Sequence, residues 1–181
     1  QVNTLTIDNI KLSQSGVYYC SVGGNSDCST VGDSIRIKVQ LKQETPPCTL
    51  TNNYMRCSNI PDVNFVSVTQ GFDGTYNAVS LYGYGGFGYP GVTVLFNSYN
   101  GNTEPLDGTH ITAEGPSFNF LQQPNEVSIS FIYASNYYHS RPGHKVYVSH
   151  VGGKLQVSFC DVVFSATTVP LTTCSAKLTE S

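Results

Sequence analysis

The stretch KLQVSFCDVVF, residues 154–164, carries the clearest strand signal in the chain. Its apolar residues first alternate with polar ones and then slip by one position: Leu155, Val157 and Phe159, followed by Val162 and Phe164. Alternation with a period of two is the pattern of a strand with one buried face. An extra residue near Cys160 and Asp161 accounts for the slip. The sequence therefore predicts a long strand with a β-bulge at that point.

Runs of the same kind recur on both sides of this strand. They are VNFVSVT, GVTVLFNSY, SFNFL, EVSISFIY, KVYVSH and PLTTCSAKL, and turn signals such as DGT, NG, PG and GG separate them. No window shows a sustained helical period of apolar residues, so the chain is predicted to be all-β. Residues 61–181 are enough to bury a core of their own. We expect them to form an antiparallel β-sandwich of about seven to nine strands.

Residues 1–42 are organised differently. The stretch LTIDNIKLSQSGVYYC, residues 5–20, places Gly16, Tyr18 and Cys20 in the spacing of a tyrosine corner, which belongs to the sixth strand of an immunoglobulin-type sandwich. Strand-like segments at 5–7, 16–22 and 34–40 correspond to strands E, F and G, with nothing before them. The prediction is the C-terminal half of an Ig-like domain at 1–42, then a linker at 43–60 that carries two prolines and a local disulfide.

Residues 5–39 resemble the Ig-like repeats of large secreted and cell-surface proteins of Bacteroidota. Those repeats often carry one Cys after the tyrosine corner and a second across the hairpin, as at Cys20 and Cys28; the acidic residue usual before the corner is Gln14 here. The C-terminal stretch, residues 141–181, is similar to the closing strands of Bacteroidota β-proteins. The resemblance implies a fold and a location outside the cell rather than an activity.

The chain has six cysteines, and in sequence they fall into three neighbouring pairs. None has the spacing of a zinc site or a redox motif. Fifteen pairings are formally possible. The expected disulfides are the local ones: Cys20–Cys28, Cys48–Cys57 and Cys160–Cys174. Because disulfides persist in oxidising compartments, the protein is expected to be secreted or on a cell surface.

Composition excludes several partners. The net charge is −3, and only nine Lys and Arg residues are scattered along the chain, which is not the basic face of a nucleic-acid binder. No apolar run approaches the length needed to span a bilayer. No Asn is followed two positions later by Ser or Thr, and the lack of a glycosylation signal in such an Asn-rich chain favours a bacterial source.

Two aromatic segments are candidates for ligand binding. GYGGFGYPG, residues 83–91, reads as a glycine-rich loop, and the preferred interpretation is that its aromatic side chains pack on the edge of the sandwich. The functional interpretation is a platform for sugar stacking or peptide contact, since Tyr has an apolar ring and a polar tip. The second segment is the predicted hairpin loop ASNYYHSRPGH. Together the candidate ligand-binding residues are Tyr82, Tyr84, Phe87, Tyr89, Tyr137 and Tyr138.

Metal and catalytic chemistry have little support in the sequence. His139 and His144 flank Arg141 without a nearby acidic or Cys partner, so incidental histidines in a loop are the favoured interpretation over a metal site. Asp73 and Asp107 each precede a Gly and are explained as turn residues, with calcium ligation as the alternative. No nucleophile motif, zinc motif or phosphate loop is present. No cofactor, metal or catalytic residue is predicted, and the protein is not expected to be an enzyme.

The sequence thus predicts a non-catalytic adhesion or assembly module of a bacterial surface protein. An isolated half-domain exposes unpaired strand edges, so an upstream segment or a neighbouring subunit is expected to complete residues 1–42. The alternatives are a glycan-binding accessory domain that uses the tyrosine-rich loops and the ectodomain of a eukaryotic or viral Ig-like receptor.

Overall fold

The computed structural model describes residues 16–20, 33–37, 43–73, 78–86, 88–97, 104–113, 125–166 and 170–181. The chain divides into two compact units, Gln1–Gln40 and Leu41–Ser181. All regular secondary structure in the described part of the chain is β-strand. The all-β prediction is confirmed.

The first unit contains one described hairpin. Strands β1 (Gly16–Cys20) and β2 (Asp33–Ile37) pair antiparallel, with Gly16 opposite Ile37 and Cys20 opposite Asp33. The segment predicted as strand E, residues 5–7, lies outside the described residues, and so does Cys28. The Cys20–Cys28 bond and the Ig-like assignment therefore stay predictions.

The described residues of the second unit form eleven strands. They are β3 (Tyr54–Cys57), β4 (Val63–Asn64), β5 (Ser67–Asp73), β6 (Ala78–Tyr84), β7 (Val92–Asn97), β8 (Gly108–Thr112), β9 (Glu126–Tyr133), β10 (Asn136–Ser140), β11 (Lys145–Val151), β12 (Lys154–Ser165) and β13 (Thr172–Thr179). Their order in the sheet is β4-β3-β13-β12-β11-β8-β9-β7-β6-β5, and β10 pairs with both β9 and β12.

Every pairing is antiparallel except that of β8 with β9, so the sheet is mixed. Residues 113–125 separate these two strands in the chain, and a parallel pair needs a connection of such a length rather than a hairpin. The sheet folds back on itself around one core. A Cβ built on Gly83 of β6 would lie 2.6 Å from Leu178 of β13 and 3.0 Å from Phe65, which shows how closely the two layers meet. The architecture is that of a β-sandwich.

Strand β12 runs through the centre of this core as its sequence predicts. Its buried apolar residues lie on one face on both sides of an irregularity: Leu155, Val157, Phe159, Val162 and Phe164. The register with β13 shifts between Phe159 and Val162, and Asp161 has a φ of 53°. Ser175 of β13 accepts a hydrogen bond from the Asp161 N–H at 2.8 Å. The predicted bulge is confirmed.

Strand β10 closes a ring of five strands. It pairs with β9 along Asn136–His139 and then with the end of β12, where Ser140 lies opposite Phe164. The ring is completed through β11 and β8, the latter paired with β9. The end of β10 is therefore held between two strands of the core.

Two of the predicted disulfides are wrong in their pairing. Cys48 bonds to Cys160 across 112 residues, and Cys57 bonds to Cys174 across 117 residues. Cys57 lies directly opposite Cys174 because β3 pairs with β13. Cys160 sits at the bulge between buried Phe159 and exposed Asp161, so its side chain leaves the core face that Cys174 occupies. Cys160 and Cys174 thus lie on different faces of the sheet, and each bonds instead to a cysteine more than 100 residues away in the chain.

The same observations correct the interpretation of residues 43–60 as a linker. Strand β3 adds to the main sheet beside β13, both cysteines of this segment are bonded into the sandwich, and Lys145 donates a hydrogen bond to Glu44 at 2.6 Å. The segment belongs to the second unit.

Candidate functional site

Tyr82 and Tyr84, at the start of the glycine-rich segment, lie on strand β6 rather than in a loop. In β6, Val79, Leu81 and Gly83 face the core, so Tyr82 and Tyr84 point to the opposite face of the sheet. Their side chains are 41% and 42% exposed. Because Gly83 occupies a core-facing position, the alternation of apolar and polar residues is interrupted there, and the sequence pattern did not indicate a strand.

The outward residues of neighbouring strands extend this surface. Tyr82 lies opposite Thr69 of β5 and Thr93 of β7, and Thr93 lies opposite Ser130 of β9. Paired residues of antiparallel strands project from the same face. We call this surface the tyrosine face and define it by Thr69, Tyr82, Tyr84, Thr93, Ser130, Ile132 and Tyr137.

Glycine at position 91 makes room for the first ring of this face. A Cβ at Gly91 would lie 2.5 Å from the Tyr82 hydroxyl oxygen and 3.0 Å from Cζ. No real Cβ approaches another atom so closely, so the ring lies over a backbone position that only glycine leaves open. Tyr82 is therefore positioned by the residue that precedes β7 as well as by its own strand.

Strand β10 supplies the other side of the tyrosine face. Its adjacent residues Tyr137 and Tyr138, which the sequence analysis treated as one group, point to opposite faces of the sheet. Tyr137 is 43% exposed, lies opposite exposed Ile132, and donates a hydrogen bond from its hydroxyl to Ser130 Oγ at 3.2 Å. Tyr138 is only 5% exposed and stacks on Phe131 with ring centroids 4.6 Å apart. The interpretation of Tyr138 as a ligand-binding residue is therefore wrong, since its ring belongs to the core.

The other candidates of the glycine-rich segment do not join the tyrosine face in the described residues. Tyr89 is exposed and lines a small cavity of about 280 Å³ with Asp62, Asn64 and Val66. Phe87 lies outside the described residues. Ile132 and Thr93 were missed by the sequence analysis. Ile132 had a readable signal, because it is an apolar residue on the face of β9 that otherwise carries Ser128 and Ser130.

A second site lies where β10 meets the end of β12. A cleft of about 750 Å³ opens there, and its lining includes Arg141, His139, His144, Ser165 and Leu171. The segment predicted as a hairpin loop thus contains strand β10 through Ser140, followed by the turn Arg141–His144. Both histidines line the same cleft as Arg141.

Burial affects His139 within this cleft. Desolvation lowers the pKa of His139, so the neutral imidazole is favoured. Its Nδ1 is buried and has no hydrogen-bond partner within the described part of the chain. The ring packs against that of Tyr137, with centroids 4.7 Å apart, so the cleft adjoins the tyrosine face.

Of the two remaining acidic candidates, Asp107 lies beside His150. His150 Nδ1 lies 2.6 Å from Asp107 Oδ1, and His150 Nε2 lies 3.5 Å from Glu104 Oε2. Asp73 ends β5. Among the described residues no group of three or more His, Cys, Asp and Glu side chains is placed to hold a metal ion.

Comparisons with known proteins give no relative: no protein family, curated protein or solved structure matches the chain. The Bacteroidota resemblance accordingly stays a prediction. In the described ranges no helix has the length and apolar character to cross a membrane.

Proposed function

We propose that the chain is a non-catalytic adhesion module that acts outside the cell and attaches to glycan chains through the tyrosine face. The observation that carries the proposal is the arrangement of three exposed tyrosines, Tyr82, Tyr84 and Tyr137, around a floor of small residues on one sheet face. Two disulfides in the described residues fit an oxidising compartment.

The chemistry of the face favours a sugar over a protein partner. Tyrosine rings offer flat apolar surfaces for the C–H faces of sugar rings, while their hydroxyls exchange hydrogen bonds with sugar hydroxyls. The floor adds the hydroxyl of Thr93, and no member of the tyrosine face is charged. Tyr82 and Tyr137 lie on strands β6 and β10, which are three strand spacings apart, or about 14 Å. The face is therefore wide enough to contact several sugar units of one chain.

The test is affinity electrophoresis and calorimetry against a panel of neutral soluble polysaccharides. We expect saturable binding by the native chain and at least a tenfold loss when Tyr82, Tyr84 and Tyr137 are each replaced by Ala, since stacked rings dominate such surfaces. Tyr89→Ala is the matched control, because Tyr89 is also an exposed tyrosine, at 56%, but lies off the face. No binding to any polysaccharide, or an equal loss in the control, would overturn the proposal.

A second candidate function is assembly with a partner that completes residues 1–42. Its support is that β1 and β2 form a two-stranded sheet in the described residues, and such a hairpin is marginal by itself. Hydrogen exchange on the monomeric chain tests this proposal. Fast exchange of the β1 and β2 amides beside slow exchange in β12 is expected. Equally slow exchange in both units would contradict it.

A further inference from the structure

We infer that the cleft beside Arg141 binds the anionic group, a carboxylate or a sulfate, of an acidic glycan held on the tyrosine face. The inference rests on the proposed function and names the class of sugar. It begins from the composition of the cleft, which the described residues line with one guanidinium, two imidazoles and two hydroxyls but no carboxylate: Arg141, His139, His144, Ser140 and Ser165.

The turn that carries Arg141 and His144 is rigid. Pro142 and Gly143 occupy its two central positions, and Gly143 has a φ of 91°, as the third residue of a type II turn requires. Buried Thr112 of β8 holds the turn from within. Its hydroxyl donates to Arg141 O at 2.6 Å and accepts from the His144 N–H at 2.9 Å.

The backbone of Thr112 completes this clamp. Its N–H donates to His144 O at 2.8 Å, and its carbonyl accepts from the Gly143 N–H at 2.9 Å. The Arg141 N–H in turn donates to Val163 O of β12 at 2.8 Å. Both ends of the turn are thus fixed to the sheet, so Arg141 and His144 are presented at the cleft without the cost of ordering a loop.

The charge of Arg141 is available to a ligand. Its side chain is exposed, and no carboxylate of the described residues lies within ion-pair distance of it. A guanidinium binds carboxylate and sulfate oxygens through two parallel hydrogen bonds, which gives strength and a fixed orientation. The net charge of the chain is −3, so general attraction of polyanions would not substitute for this local site.

The position of the cleft connects it to the glycan surface. His139 lines the cleft, and its ring packs at 4.7 Å against Tyr137, the tyrosine of the face that lies on the same strand. The unpaired buried Nδ1 of His139 adds a polar atom at this junction that lacks a partner among the described residues. A sugar stacked on Tyr137 therefore lies next to the ring of His139, which lines the same cleft as Arg141.

Calorimetry with matched polymers tests the inference: polygalacturonate, its fully methyl-esterified form and dextran sulfate. We expect the acidic polymers to bind at least tenfold more tightly than the ester, since hydrogen bonds to charged groups are the stronger class. Arg141→Gln should abolish this preference while binding of the neutral ester persists, and Arg141→Lys should retain part of it. Arg56→Gln, an exposed arginine on β3, is the control and should change nothing. The ratio between polygalacturonate and dextran sulfate identifies the preferred anion.

The possible failures are distinct. Equal binding of the acidic and esterified polymers overturns the inference and leaves the proposed function in place. If Arg141→Gln loses binding of the acidic polymers and of the ester alike, the inference is also overturned, because Arg141 then supports the fold or the binding surface in general rather than the anionic group. If no polymer binds, the proposed function fails, and the cleft is tested alone by NMR titration with free galacturonate. Absence of a saturable shift of the Arg141 Nε–H signal then overturns the inference as well.

Discussion

The ring of Tyr82 lies over Gly91, so close that a Cβ at position 91 would be 2.5 Å from its hydroxyl oxygen. The conflicting atoms are at the far end of a side chain that is 41% exposed, so the ring can move aside. Gly91→Ala should therefore change the free energy of unfolding by less than about 1 kcal/mol. It should also displace the ring and weaken glycan binding severalfold. Urea unfolding and the NMR signals of the Tyr82 ring check the two parts.

Gly83→Ala is the matched comparison. Gly83 lies on β6 next to Tyr82, but it faces the core. There a Cβ would lie 2.6 Å from Leu178, 3.0 Å from Phe65 and 3.1 Å from Val92, all in the closely packed core. Overpacking of this kind costs about 1–3 kcal/mol. The prediction for Gly91 fails if both variants are destabilised to the same extent.

The two described disulfides should stabilise the second unit strongly. They close loops of 112 and 117 residues, and in the chain-entropy model a single loop of that size contributes about 4.7 kcal/mol. Because the loops overlap, either bond shortens the loop that the other closes. Replacing one pair with Ala should cost about 3 kcal/mol, and replacing both should cost about 8 kcal/mol. Urea unfolding of the variants measures this.

Peptide mapping without reduction checks the pairing independently. Fragments joined through Cys48–Cys160 and Cys57–Cys174 are expected. Recovery of Cys48–Cys57 or Cys160–Cys174 instead would show that the local pairing is correct and would contradict the position of β3 beside β13.

The bulge in β12 gives a further prediction. Asp161 has a φ of 53°, a conformation that Gly adopts freely and that β-branched residues avoid. Asp161→Gly should leave stability within about 1 kcal/mol of the native value, while Asp161→Val should lose about 1–3 kcal/mol. Thermal unfolding distinguishes the two variants. Equal stability of Val and Gly at this position would show that the bulge does not impose the backbone conformation.

The sequence pattern succeeded where a strand repeats long enough to show its period. Strand β12 displays two alternating segments, and the slip between them located the bulge at Cys160 and Asp161. Strand β9 was predicted to the residue, as EVSISFIY. In both strands each position on the core face is apolar or partly apolar, so burial of that face follows from the residue type, whereas the burial of Ser128, Ser130 and Ser158 on the other face does not.

The pattern failed where burial depends on tertiary contacts. Gly83 faces the core, but a glycine gives no hydrophobic signal, so no strand was predicted over β6 and its last two residues, Gly83 and Tyr84, were assigned to a glycine-rich loop. The disulfides failed for a related reason, since pairing Cys57 with Cys174 requires knowing that β3 joins the sheet at β13. The cleft depends on the same kind of information, because Thr112 and Arg141 are brought together only by the closed ring of strands.

Burial of His110 should make stability depend on pH. Its side chain is 1% exposed, Nε2 donates to Leu106 O at 2.8 Å, Nδ1 has no partner in the described residues, and Phe96 packs against the ring edge to face. Desolvation lowers the pKa of His110, although the Leu106 carbonyl and the Asp107 charge oppose the shift. The unfolded chain therefore binds a proton near the ordinary pKa of about 6.5 while the folded protein does not.

Stability should accordingly fall as the pH drops below about 6.5 and should continue to fall until the folded protein is protonated as well. In His110→Gln, which keeps a donor for Leu106 O, the decline between about pH 6.5 and pH 5 should become shallower. His139→Gln is the control. The pKa of His139 is lowered too, but its ring is less buried, so its removal should change the slope less. Urea unfolding across this range measures the three slopes, and an unchanged slope in His110→Gln would show that other groups govern the acid sensitivity.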